Sequence, residues 1–68
     1  MNYGKIFKSL RKEKGLSQKE VAAGIVSRST LSRFEESGNI DFLSLILLLK
    51  RLGMTPLEFM QYCTDFET

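Results

Sequence analysis

The sequence predicts an all-α fold of five helices joined by short turns. Apolar residues recur at helical spacing along the 68 residues, and no stretch alternates apolar and polar residues as a half-buried strand would. Capping residues and glycines divide the chain into five segments of helical length. The length suits one domain, close to the lower limit for a core that is stable without cross-links. We therefore expect residues 1–68 to form a single domain.

The first helix is predicted over about residues 3–14. Its apolar residues Ile6, Phe7 and Leu10 fall at i, i+1 and i+4, which places them on one face. Gly15 follows, and it can adopt the left-handed conformation that commonly ends a helix. One face of this helix is therefore expected to pack into the core.

The second helix is predicted over about residues 17–24. Ser17 and Glu20, three positions apart, fit a capping box, in which each side chain bonds the other residue's backbone N–H. The small residues at positions 22–24 should let the next helix approach closely. The expected core face consists of Val21, Ala22 and Ile25.

The third helix is predicted over about residues 28–36, with Ser27 as its cap and Gly38 at its end. At 3.6 residues per turn, Leu31 and Phe34 point inward. The opposite face carries Arg28, Ser29, Ser32 and Arg33. Two short helices joined by a tight turn, the second with a polar outer face, are typical of a helix-turn-helix, whose second helix enters the DNA major groove.

The outer face of the third helix has the chemistry needed to read bases. Arg28 and Arg33 can make forked hydrogen bonds to O6 and N7 of guanine, and Ser29 and Ser32 are short, adaptable partners. The alternative is an ordinary exposed polar face, but the flanking helices favour DNA reading. We predict base contacts from these four residues.

Phosphate contacts are predicted around that face. Gln18 begins the second helix, where free N–H groups and the helix dipole favour an anion. Three interpretations of Gln18 are open: a phosphate contact, a brace for a residue of the third helix, or simply a good helix former. The nearby lysines either neutralise phosphate or are merely solvated. The predicted phosphate contacts are Lys12, Lys14, Gln18, Lys19, Ser27 and Thr30.

The net charge of +2 conceals a division along the chain. Residues 1–33 carry eight basic and two acidic side chains, and residues 34–68 carry two basic and six acidic ones. Such a division is often only a solvated charge pattern. Because the basic half coincides with the predicted helix-turn-helix, it favours a surface that meets polyanions.

Arg11 and Glu35 are predicted to form a structural ion pair. Arg11 follows the apolar stripe of the first helix, and Glu35 lies beside the inward-pointing Phe34. A charge-assisted bond between them would tie the first helix to the third. The alternative is that both side chains are exposed and independent.

The fourth helix is predicted to begin after Asp41 and to extend to Leu52, where Gly53 ends it. It has about twice the apolar residues that one core-facing stripe needs. The excess favours a second buried face, either a dimer interface or a docking surface, over a helix that is surrounded on all sides. The residues predicted for this surface are Leu45, Leu48, Leu49, Leu52, Phe59 and Met60.

The fifth helix is predicted to open with a capping box formed by Thr55 and Glu58, with Pro56 at the first helical position. Residues 64–68 are expected to fray. Cys63 is interpreted either as a small half-buried residue or as the source of a disulfide across a dimer.

The composition argues against several classes of protein. There is no histidine and one cysteine, so the commonest general base is missing and a cysteine-based metal site is excluded. The longest aliphatic run is far shorter than the roughly 20 residues that cross a bilayer. No signal peptide is recognisable. We therefore expect a cytoplasmic protein that is not an enzyme and uses no cofactor, metal or small-molecule substrate.

The segments 16–22 and 27–35 resemble the XRE/Cro/C1-type helix-turn-helix of phage and bacterial repressors. The chain is more closely similar to the N-terminal domain of the Rgg/GadR/MutR regulators, which also begin with a Gly-x-x-Phe-x-x-Leu-Arg stretch, have a turn one residue shorter, and carry Leu-Ser-Arg-Phe-Glu. Here these are Gly4, Phe7, Leu10 and Arg11, and residues 31–35. The chain departs from that family at Glu36 and Ser37, where a basic residue and a glycine are common.

The resemblance implies a five-helix, lambda-repressor-like domain that binds operator DNA, commonly as a two-fold dimer. It also implies that Gln18 contacts phosphate, that Arg28, Ser29 and Arg33 face bases, and that Arg11 and Glu35 form the structural ion pair. Full-length Rgg-like regulators carry a long C-terminal region that binds signalling peptides and dimerises, and these 68 residues do not include it.

Two functions follow from the sequence. The first is sequence-specific binding of double-stranded DNA for transcriptional regulation, as a homodimer. The second is a protein-interaction module, either antitoxin-like or an adaptor, that uses the apolar surface of the fourth and fifth helices. Salt-dependent affinity for DNA distinguishes the first from the second.

Overall fold

In the computed structural model, which describes residues 2–67 and the side chains up to Asp65, the chain forms five α-helices. They are α1 (Tyr3–Glu13), α2 (Gln18–Ala22), α3 (Arg28–Ser37), α4 (Phe42–Arg51) and α5 (Pro56–Glu67). No strand occurs within these described residues, so the predicted all-α class is confirmed.

Side-chain caps fix where the helices begin. Ser17 and Glu20 form the expected capping box of α2, and Ser27 and Asp41 accept N–H bonds at the starts of α3 and α4. At α1 the cap is Asn2, whose Oδ1 accepts from the backbone N–H groups of the next turn. Capping satisfies donors that have no partner inside the helix, so each of these residues sets a boundary.

The helix α2 is shorter than predicted. It ends at Ala22 because Ala23 leaves the helical region, with φ −51° and ψ 123°. Gly24 then takes a positive φ of 76°, and a Cβ placed on it would meet nothing within 4 Å. The expectation that residues 22–24 allow close helix packing is therefore wrong at Gly24. This glycine serves the conformation of the turn, which a residue with a side chain adopts at a cost.

The core is formed by side chains from all five helices. Phe7 and Phe34 are fully buried, with ring centroids 5.4 Å apart and planes tilted by 58°. Leu31 of α3 and Leu48 of α4 are also fully buried. Aromatic and aliphatic burial of this kind is the main stabilising contribution in so small a protein.

The core also contains most of the predicted docking surface. Leu48, Leu49, Leu52 and Phe59 are between 0% and 4% exposed, and Leu45 is half-buried against the same cluster. The four buried residues cannot present an outer surface, so their assignment to a dimer or docking surface is wrong, whereas Leu45 is still partly accessible. The error arose because α4 packs its C-terminal half on the core, and the apolar run gave no means of telling its inner face from its outer one. Met60 alone of the set is exposed.

The C-terminal part of α5 differs from expectation. The helix continues through residues 64–67, which were expected to fray. Residue 68 of that prediction lies outside the described residues. Cys63 is 3% exposed within the core cluster, so its thiol is not positioned at the surface for a disulfide between two copies.

The helices α1 and α3 approach each other closely at Gly4. A Cβ on this residue would overlap the carbonyl oxygen of Phe34. Beside this point, the side-chain amide of Asn2 donates to the carbonyl oxygen of Glu36 at 2.9 Å. The N-terminal end of α1 therefore holds the C-terminal end of α3 in place, and α3 is the helix that carries the predicted base contacts.

Candidate nucleic-acid interface

The four predicted base-contacting residues share one open recess on the surface of α3. Arg28, Ser29, Ser32 and Arg33 line it together with Gln18 from the start of α2. Both arginines are exposed, and Ser32 is half-buried. Neither guanidinium has an ion-pair partner among the residues that the structure describes. The recess is therefore cationic and open to a ligand.

Beneath this recess lies a buried ionic network. The Arg11 guanidinium donates from Nε to Glu35 Oε2 at 2.7 Å and from Nη2 to Oε1 at 3.0 Å. Its Nη1 donates to the carbonyl oxygen of Leu16 at 2.8 Å. Arg11 is 6% exposed and Glu35 2%, so the alternative with two exposed, independent side chains does not hold. A forked pair in which each of the three guanidinium nitrogens makes a hydrogen bond fixes both position and orientation.

Gln18 joins the recess to this network. Its Nε2 donates to Glu35 Oε1 at 2.9 Å, so the side chain braces α3 from α2. A side-chain amide nitrogen carries two hydrogens, and the bond to Glu35 uses one of them. The second remains available to a phosphate oxygen. The phosphate and bracing interpretations of Gln18 are therefore compatible with each other.

Ser27 and Thr30 are bound to each other at the start of α3. The Ser27 hydroxyl accepts from the backbone N–H of Thr30 at 3.0 Å and donates to Thr30 Oγ1 at 2.9 Å. The only hydroxyl proton of Ser27 is thus in use, whereas the Thr30 hydroxyl still has one to donate. Thr30 lines a second, polar recess with Arg33, Ser37 and Asn39. Asn39 was not predicted from the sequence, because it lies in a loop without a recognisable motif.

The three predicted lysines are exposed, but their surroundings differ. Lys12 and Lys19 lie at the surface of α1 and α2. Lys14 lies near α5: the pKa of Glu58 is lowered chiefly by its hydrogen bond with the Thr55 backbone N–H, and to a smaller extent by the positive charge of Lys14. Lys14 is therefore within electrostatic reach of an acidic side chain on α5.

Arg51 is a structural residue that the sequence analysis did not identify. Its Nη1 donates to the carbonyl oxygen of Glu20 at 2.9 Å and to that of Val21 at 3.5 Å. These carbonyls lie at the C-terminal end of α2, where the helix leaves acceptors without a partner. Arg51 thus joins α4 to the helix-turn-helix. A basic residue in the last turn of α4 gives no sign of this partner in the sequence.

The outer face of α4 and α5 carries exposed apolar side chains. Phe42 is 73% exposed and Leu43 65%, while Leu57 and Met60 of α5 are 63% and 64% exposed. Leu47 is 39% exposed. The predicted second apolar face of α4 is therefore made by residues in its N-terminal half and not by those named from the sequence.

None of the described helices is long and apolar enough to cross a membrane. Among the side chains that the structure describes, no three from histidine, cysteine, aspartate or glutamate are grouped as metal ligands would be.

Comparison with known proteins agrees with this geometry. Residues 7–59, most of the chain, match the model of the family described as helix-turn-helix, which is a DNA-binding family and not typically an enzymatic one. Searches of curated proteins and of solved structures gave no significant match. The matched stretch includes α2, the turn, α3 and the buried pair beneath them. The chain therefore belongs to the XRE-type helix-turn-helix family of DNA-binding domains.

Proposed function

We propose that this protein is a transcriptional regulator that binds specific sequences of double-stranded DNA by placing α3 in the major groove. The observation that carries the proposal is the single recess in which Arg28, Ser29, Ser32 and Arg33 lie together. Both arginines are exposed there and have no acidic partner among the described residues. Arginine side chains are the ones best suited to guanine in the major groove. The chain belongs to a DNA-binding family, which supports the same conclusion.

The residues divide into two roles. Arg28 and Arg33 read guanine, and the serines between them make shorter contacts to base edges. Gln18, Thr30 and the exposed lysines Lys12 and Lys19 contact phosphates, which fixes the register of α3 in the groove. Lys14 belongs to the same set, and Ser27 is a weaker member of it because its hydroxyl proton is already donated to Thr30.

The proposal is tested by selecting bound sequences from a random DNA pool and measuring affinity over a range of salt concentrations. Arg28→Ala and Arg33→Ala should each cost about 1–3 kcal/mol of binding free energy and relax specificity at one base pair. Lys12→Ala or Lys19→Ala should weaken all sequences alike and reduce the salt slope by about one. Lys50→Ala is the control, since it removes an exposed cation of α4 away from the recess. Arginine variants that bind selected and random DNA as the parent does would refute the site.

We further propose that the chain binds DNA as a homodimer through the exposed face of α5, where Leu57 and Met60 lie one turn apart. A two-fold dimer would select a palindrome with half-sites about 10 bp apart, one turn of the duplex. Met60→Asp should lower the association constant in sedimentation, with Gln61→Asp as the control for charge on the same helix. A monomer at all concentrations that selects a single, asymmetric site would contradict this arrangement.

A relation to the Rgg/GadR/MutR regulators is also part of the proposal. It rests on Gly4 and on the Leu-Ser-Arg-Phe-Glu segment at residues 31–35. The close approach at Gly4 and the pairing of Glu35 give both motifs a structural role.

A second candidate function is a protein-interaction module, and the exposure of Phe42 and Leu43 on α4 favours it. A soluble protein seldom exposes large apolar side chains together without a partner surface. The two functions can occur in one protein. The chain would be assigned to this second function alone if the selection recovered no DNA sequence and affinity for DNA did not change with salt.

A further inference from the structure

Glu36 places a carboxylate on the same face of α3 as the base contacts. Residues four apart on a helix are separated by about 40° around its axis, so Glu36 follows Ser32 one turn further along the exposed side. The residue is exposed, and its carboxylate has no hydrogen bond or ion pair with any described residue. An acidic side chain on this face, within one turn of Arg33, bears on which bases the face can accept.

The backbone at Glu36 is held firmly although its side chain is not. The carbonyl oxygen accepts from Asn2 Nδ2 at 2.9 Å, which anchors this turn of α3 to the start of α1. The next residue, Ser37, donates its hydroxyl proton to the carbonyl oxygen of Arg33 at 2.8 Å. The carboxylate therefore extends from a fixed point and not from a frayed helix end.

We propose that Glu36 is a specificity-determining residue that selects cytosine in the major groove; this inference rests on the proposed function. A carboxylate can only accept hydrogen bonds, and the base edges in the major groove that donate are N4–H₂ of cytosine and N6–H₂ of adenine. Guanine and thymine present acceptor oxygens there, which repel it. Adenine also presents the acceptor N7 beside its amino group, so cytosine is the base that the carboxylate meets without an opposing lone pair.

The position of Glu36 relative to Arg33 predicts where that cytosine lies. Three residues along a helix advance by about 4.5 Å, and successive base pairs are about 3.4 Å apart. With α3 lying along the groove, this spacing lets Glu36 and Arg33 address neighbouring base pairs. Arg33 donates to guanine at one pair, while Glu36 accepts from cytosine at the next. Glu36 also disfavours any register that places this turn of α3 against a phosphate, because like charges repel.

The test compares the sequences selected from random double-stranded DNA by the native protein, by Glu36→Gln and by Glu13→Gln. Glu13 is the matched control, because it is an exposed acidic residue on α1, outside the reading face. We expect the native protein and Glu13→Gln to prefer cytosine at the base pair next to the one that Arg33→Ala relaxes. Glu36→Gln should lose that preference, by about tenfold. The preference should move toward adenine, since a glutamine amide pairs with adenine N6 and N7.

The possible results separate this inference from the function on which it rests. If Glu36→Gln selects the same consensus as the native protein, the inference is overturned and the proposed function stands. If Glu36→Gln increases the affinity for every sequence by the same factor as Glu13→Gln does, Glu36 acts only through its charge, and the inference is again overturned. If the native protein selects no sequence and Arg28→Ala has no effect, the proposed function itself fails. We expect circular dichroism to show that each variant keeps its helices, because neither the Glu13 nor the Glu36 carboxylate has a partner among the described residues.

Discussion

Arg11 and Glu35 are the pair whose separation should most damage the fold. Replacing Arg11 with methionine keeps the bulk of the side chain and leaves the Glu35 carboxylate buried without its counter-charge. Replacing Glu35 with leucine leaves a buried guanidinium in the same situation. We propose to measure Arg11→Met, Glu35→Leu and the double variant as a thermodynamic cycle, which isolates the energy of the pair from that of each side chain.

The expected magnitude follows from the burial of both groups. Arg11 is 6% exposed and Glu35 2%, and three hydrogen bonds end on the two carboxylate oxygens. Leaving one member of such a pair unpaired costs about 3–5 kcal/mol. A domain of 68 residues has about 3–10 kcal/mol of stability in total, at 0.05–0.15 kcal/mol per residue. Each single variant should therefore lose between about a third of the stability of the domain and all of it.

The double variant should be much more stable than either single one. With both charges removed, methionine and leucine fill the space and no ion remains buried, and such replacements are often neutral or stabilising. The assay is urea unfolding followed by circular dichroism, with Arg51→Met as a control at an exposed arginine, expected to cost about 1 kcal/mol. Single variants that lose less than about 1 kcal/mol, or a double variant that loses the sum of both, would refute the reasoning.

Three further outcomes are expected. Gly4→Ala should lower the urea midpoint by the equivalent of about 1–3 kcal/mol, because the added methyl group overlaps the Phe34 carbonyl; an unchanged midpoint would show that α1 moves away freely. Asn2→Ala should cost about 1 kcal/mol, because it removes the cap of α1. Amide hydrogen exchange should become faster at the start of α1 and at the end of α3, which Asn2 joins. Stability should fall as the pH drops below about 4.5, because hydrogen bonds from Ser17 and Thr55 lower the folded-state pKa of Glu20 and Glu58 beneath that ordinary value. Below pH 4.5 the unfolded chain binds more protons than the folded one. The stabilising contribution of these two carboxylates is therefore complete above pH 4.5, and it is lost as the pH falls through their lowered folded-state pKa. A melting temperature that stays flat down to pH 2.5, or one whose slope Glu58→Gln leaves unchanged, would contradict this explanation.

The helices and their caps were predictable because each signal is local. Ser17 and Glu20 lie within one turn of each other, and the bond geometry of a capping box depends on nothing outside that turn. Gly38 ends α3 in the left-handed conformation for the same kind of reason. The face of α3 that carries Arg28 and Arg33 follows from helical periodicity once the inward residues are known.

The division of α4 into an inner and an outer face was not predictable, because it depends on where α2 and α5 lie. A run such as Leu47-Leu48-Leu49 has apolar side chains on every side of the helix, so its pattern does not distinguish core from surface. In the fold, Leu48 and Leu49 are buried and Leu47 is 39% exposed. Arg51 is a similar case, since its acceptors lie about thirty positions earlier in the chain. Long-range partners leave no local trace in a single sequence.

Three successive residues of α3 connect the fold to the interface. Phe34 points into the core, Glu35 holds Arg11 and Gln18, and Glu36 extends outward from a carbonyl that Asn2 anchors. Because each residue turns the helix by about 100°, these three directions are set by one backbone. Any rotation of α3 that improved a base contact would separate the Glu35 carboxylate from its donors, at the cost of a buried charge. The orientation in which the arginines are presented is therefore fixed by the core, before DNA is met.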